Sequence, residues 1–111
     1  MNSTIGIKII GNVVTAKALM IIKKYYKDEI PLSEIKKKVE SNDYVAVCDY
    51  VDRKGIEEIL KLNEKLNQEN LRCEFYEHDE ITTIEFLNNL IESYYETEKQ
   101  IEEIIELETE E

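Results

Sequence analysis

The 111-residue chain contains one His, two Cys, one Pro and three Gly. Each scarcity removes a class of chemistry. Cys48 and Cys73 form no CxxC pair, so neither a zinc site nor a redox motif is expected. They read as small buried hydrophobes. His78 has Glu77, Asp79 and Glu80 as sequence neighbours, but one His among adjacent carboxylates on a link is a poor metal site. A Cys48/His78 nucleophile pair would have no third group and no oxyanion device. There is no Gly-rich phosphate loop and no Ser/His/Asp pattern. No enzyme activity, metal or cofactor is therefore expected. The longest apolar runs, such as Ala18–Ile22, are too short to span a bilayer. No basic region followed by a long apolar stretch opens the chain, so no signal peptide and a cytoplasmic location are expected. Internal repeats and a Pro/Gly/Ser linker are also lacking.

Charge is abundant and unevenly distributed. The net charge is −11, from 25 acidic and 14 basic side chains. Residues 1–65 hold 12 Lys/Arg and 10 Asp/Glu and sum to +2, while residues 66–111 hold 2 and 15 and sum to −13. The acidity belongs to the C-terminal part, a pattern that often marks an interaction segment.

Hydrophobic spacing supplies the architecture. Ile5, Ile7 and Ile9 alternate with Gly6 and Lys8, which predicts a strand at about 4–10. Thr15 caps a helix from Ala16 to about Tyr26. Pro31 fits the first turn of a short second helix carrying Leu32, Ile35 and Val39. Tyr44–Val51 reads as a strand. Asp52 caps a third helix from Arg53 to about Gln68, where Gly55 is tolerable. Leu71, Cys73 and Phe75 alternate in a further strand, and His78-Asp79-Glu80 reads as a polar link. Thr82 and Glu85 fit a capping box for a long helix from about Thr83 to Leu107. The fold class is α+β: a two-layer β-α-α-β-α-β unit with a small antiparallel or mixed three-stranded sheet, plus a long C-terminal helix. Residues 1–79 form the α/β domain and residues 80–111 the acidic helix.

The segment Pro31–Ser41, PLSEIKKKVES, resembles the second helix of the C-terminal domain of the bacterial ribosomal stalk protein L7/L12, which reads G-L-K-E-A-K-D-L-V-E-S. Ala16–Ile22 is similar to that family's N-K-V-A-V-I-K segment, and Arg72–Phe75 to its E-V-E-V strand. The element order also resembles, more loosely, the ClpS adaptor fold. The resemblance covers about residues 4–77. It implies that fold and, by the family's use of basic residues on its first two helices, partner contacts at Lys17 and Lys36. The family's glycine-rich turn is replaced here by Lys27-Asp28-Glu29-Ile30-Pro31.

The terminal helix would be roughly 37 Å long at 1.5 Å per residue and should overhang a domain about 30 Å across. Ile84, Leu87, Ile91, Tyr94, Ile101 and Ile105 form a heptad stripe, interrupted by Glu98. The stripe either pairs with a second copy or folds back over the free face of the sheet. A homodimer is the default. Its acidic face includes Glu92, Glu96 and Glu103. That face is either solvated or a surface for a basic partner. The latter suits an acidic inhibitor that mimics nucleic acid, of the kind phages encode. Direct nucleic-acid binding is disfavoured by repulsion, and no Arg-rich or Gly-aromatic motif supports it. Lys17, Lys24, Lys36 and Lys37 form a candidate docking patch for an acidic protein, or else the solvated sides of amphipathic helices. In each of the pairs Tyr25-Tyr26 and Tyr94-Tyr95, one ring should point away from the core. The expected function is a self-associating, non-enzymatic protein-interaction module. The alternative is the acidic inhibitor.

Overall fold

A computed structural model describes residues 3–11 and 14–109, with side chains as far as residue 100. The order is β1 (Thr4–Ile9), α1 (Ala16–Tyr25), α2 (Leu32–Glu40), β2 (Ala46–Asp49), α3 (Arg53–Gln68), β3 (Cys73–Glu77), β4 (Glu80–Thr82) and α4 (Ile84–Thr109). The fold is α+β. The sheet order is β2-β1-β3-β4, and every neighbouring pair is antiparallel. The sheet thus has four strands where the sequence pattern predicts three. His78 and Asp79 both take left-handed backbone, at φ +52° and +67°. Two consecutive residues of that kind make the tight turn that matches strand twist. The presumed polar link therefore closes a β-hairpin, with Glu77 opposite Glu80 and Tyr76 opposite Ile81.

The helix starts follow from short polar side chains accepting free backbone N–H groups. Thr15 Oγ1 accepts from Ala18 N at 3.1 Å, and Asp52 Oδ1 from Gly55 N at 3.0 Å. Pro31 stands at the cap position of α2, one residue before the helix. At α4 the capping hydroxyl belongs to Thr83, which accepts from Phe86 N at 3.2 Å. Thr82, expected to cap, is occupied as the last residue of β4. Between α1 and α2 the backbone turns on Lys27 and Asp28 at φ +56° and +62°.

Period-2 alternation puts Ile5, Ile7 and Ile9 on one face of β1, and all three are buried. Ala46 and Phe75, paired with Ile7 from either side, extend that face. Ile22 of α1, Ile35 and Val39 of α2, Ile56, Ile59 and Leu66 of α3 and Leu87 of α4 close over it. All four helices thus contribute to one core against one sheet face. On the opposite face, Val47, Gly6, Tyr76 and Ile81 form a row across the strands. Val47 and Ile81 are exposed. Lys8 Nζ sits 4.7 Å from both the Tyr44 and Tyr76 ring centres. The Tyr44 ring lies so close over β1 that a Cβ on Gly6 would come within 2.6 Å of it.

α4 runs back along α3. Ile84 and Asn88 lie beside the Leu60–Asn67 stretch. Tyr95 OH donates to Glu57 at 2.6 Å, and Arg53 Nε is 3.3 Å from Glu98. So α4 joins the helical layer and does not fold over the free sheet face. By Glu98 it has reached the start of α3 and continues to Thr109. The molecule accordingly measures 60 × 28 × 28 Å. Among the described residues, no helix is long and apolar enough to cross a membrane.

Candidate functional site

α1 and α3 pack side by side and leave a groove of about 220 Å³ between them. Its floor is apolar: Ile21 and Tyr25 come from α1 and Leu62 from α3. Its rim is cationic, with Lys24 and Lys27 on one side and Lys61 and Lys65 on the other. Lys61 and Lys65 are four apart and share one helix face. All four lysines are exposed, and none is in an ion pair among the described residues. Glu58 is the one acid on the rim. The groove therefore carries a local charge of +3 in a chain of −11.

The sequence reading found one of these four lysines, Lys24. Lys17 lies seven residues before it on the same helix face, and its Nζ is 3.3 Å from Glu69 at the end of α3. Lys36 pairs within α2 with Glu40, at 3.9 Å. Lys37 is exposed on α2. Lys61 and Lys65 sit on the polar face of α3, and only its packing against α1 brings them beside Lys24 and Lys27.

On α4 the heptad stripe divides in two. Leu87 is fully buried in the chain's own core, and Leu90, Ile91 and Tyr94 pack against that core. Tyr94 OH also donates to Tyr50 O at 2.7 Å. Ile84 is 43% exposed. Glu92 and Glu96 are exposed. Ile101, Glu103 and Ile105 lie outside the residues whose side chains are described. Of the tyrosine pairs, Tyr95 points outward as expected, half exposed and stacked under Arg53 at 4.6 Å. Tyr25 and Tyr26 instead both pack against the core. Tyr26 is the residue that ends α1, so its ring escapes the helical spacing, and its hydroxyl donates to Val45 O.

Cys48 lies beside Asp52 where β2 meets α3. Burial first, then the nearby Asp52, Asp49 and Glu58 carboxylates, push its thiol up to about 12. A thiol so raised carries almost no thiolate near neutral pH and makes a poor nucleophile. Burial alone lifts Cys73 to about 11. Tyr25, in the groove, is lifted to about 12 by burial and then by Cys48, Tyr26 and Glu58. Each group holds its proton more tightly folded than unfolded. Their contribution to stability is complete below pH 9 and drains away as pH rises towards 12. We expect the urea midpoint to fall steadily over that range. Cys48→Ala should flatten the fall, which a pH series of denaturation curves will measure.

Among the described residues, no group of three His, Cys, Asp or Glu could hold a metal ion. Every buried side-chain nitrogen and oxygen there has a hydrogen-bond partner. No family model matches the chain, and neither a curated protein nor a solved structure matches it.

Proposed function

We propose that the chain is a non-enzymatic protein-interaction module that self-associates through the distal part of α4. The observation that carries this reading is the division of the helix. Residues 84–98 lie along α3, and Leu87, Ile91 and Tyr94 are engaged with the chain's own core. The helix then runs 11 residues past Glu98 to Thr109, roughly 16 Å. That stretch carries Ile101, Ile104, Ile105 and Leu107 at helical spacing. An apolar stripe on a projecting helix gains by burial against a partner, and a second copy is the default. The element order β-α-α-β-α-β favours a stalk-protein-like fold for residues 4–77, and the two lysines that the resemblance would use for partner contacts, Lys17 and Lys36, are both exposed. The turn that this family makes with glycine would be made here by Lys27 and Asp28 at positive φ.

Sedimentation at micromolar concentration tests the proposal. We expect a dimer for the wild type and a monomer for Ile101→Asp/Ile105→Asp, both with unchanged helix content. A monomeric wild type would refute it. The second reading, an acidic inhibitor seated in the basic cleft of a nucleic-acid-handling protein, is favoured by the exposure of Glu92 and Glu96. Under that reading Glu92→Gln/Glu96→Gln/Glu103→Gln abolishes partner capture and leaves self-association intact.

A further inference from the structure

We infer that the lysine-rimmed groove between α1 and α3 is the docking site for the distal acidic part of α4 from a second copy of this chain. The inference rests on the self-association reading and adds where the projecting helix goes. Three observations converge on it.

The first is charge. The groove has Lys24, Lys27, Lys61 and Lys65 against Glu58 alone, and none of the lysines has an ion-pair partner among the described residues. Residues 99–111 carry six Glu against Lys99, a sum of −5. Opposite patches of this kind attract and orient one another. The second is the floor. A purely ionic site would suit any polyanion. This one has Ile21, Tyr25 and Leu62 beneath the lysines, which suits a segment with an apolar stripe among its acids. The third is length. The α3 wall from Glu58 to Lys65 is about 11 Å long, and the helix beyond Glu98 extends roughly 16 Å.

A chain cannot fill its own groove. α4 lies against α3 at Glu57 and Arg53 and has already passed the start of α3 when its distal part begins. Bringing that part back to Lys61 and Lys65 would require breaking a continuous helix. A second copy meets no such obstacle. In a two-fold dimer each chain would give one helix and receive one, so the contact is made twice.

Charge reversal in the full-length chain tests this. Lys61→Glu/Lys65→Glu should weaken self-association by at least about tenfold. So should Glu102→Lys/Glu103→Lys/Glu106→Lys. Mixing the two variants should restore a 1:1 heterodimer, because reversed groove then meets reversed helix. Wild-type dimerisation should weaken as salt rises. Lys61 and Lys65 are exposed, so the variants should keep the wild-type Tm, which is measured alongside. If both lysine reversals leave the dimer unchanged while Ile101→Asp/Ile105→Asp dissociates it, the helices pair with each other and the groove assignment falls alone. If folded variants fail to recover on mixing, the assignment also falls. A monomeric wild type removes the self-association reading and this inference together.

Discussion

Replacing Leu87 with Ala will cost about 3 kcal/mol of stability, the usual scale for deleting most of a buried leucine. For a domain of this size that corresponds to a fall in Tm of about 10–20 °C. The reason is position. Leu87 is fully buried, on the first turn of α4 that faces α3, in the same core as Ile7, Ile59 and Leu66. Truncation leaves a cavity lined by residues from several elements, and such a site collapses poorly. Urea curves followed by helix ellipticity and by tyrosine emission should shift together, as in a two-state transition. Ile84→Ala, three residues earlier and 43% exposed, should cost under about 1 kcal/mol. If α4 were an appendage docked loosely on a finished domain, the two substitutions would cost about the same.

This result bears on how the helix is used. Its proximal half stabilises the fold, through Leu87, Leu90, Ile91 and the hydrogen bond from Tyr94 to the Tyr50 carbonyl. Its distal half carries Glu102, Glu103, Glu106 and Glu108 together with the remaining isoleucines. Substitutions at its buried positions before Glu98 therefore report on folding, and under the proposed reading those after Glu98 report on self-association. The sequence stripe runs through both halves without a break in composition, apart from Glu98 itself. Periodicity registers that an apolar face exists and says nothing of which neighbour covers it.

The same distinction explains what else was legible. β1, α1 and α3 could be read directly, because alternating isoleucines and the caps Thr15 and Asp52 are local signals. β4 could not. Three residues are too few to show alternation, and the turn before it uses His78 and Asp79 where Asn-Gly would have announced a hairpin. Once β4 is hidden, Thr82 is mistaken for the cap that Thr83 supplies. The lysine groove was half hidden for another reason. Lys24 and Lys27 are 37 and 38 residues from Lys61 and Lys65 respectively, and only the packing of α1 on α3 joins them. The Tyr44, Lys8 and Tyr76 cluster likewise depends on cross-strand register.

Gly55→Ala should destabilise the protein, against helix propensity. In an ordinary helix interior, Ala is better than Gly by about 1 kcal/mol. Here a Cβ would lie 2.5 Å from Asp52 Oδ2 and 2.7 Å from Cys48 Cβ. The Asp52 side chain could swing aside, but its other oxygen caps α3 at Gly55 N. Moving it forfeits about 1 kcal/mol of cap. The Cys48 Cβ is fixed to the backbone of β2, which is paired to β1 at Ile5, so it yields only if the strand shifts. Overpacking of that kind costs about 1–3 kcal/mol. The sum exceeds the propensity gain, and we expect a net loss of about 2 kcal/mol by urea denaturation. Lys54→Ala, exposed on the same turn, should stay within about 0.5 kcal/mol of wild type. A double-mutant cycle separates the two contacts. In an Asp52→Ala background the carboxylate clash is gone, so Gly55→Ala should cost less. The part that persists is the approach of α3 to Cys48. A stabilising Gly55→Ala in the wild-type background would mean that the start of α3 does not press on β2 as closely as these distances require.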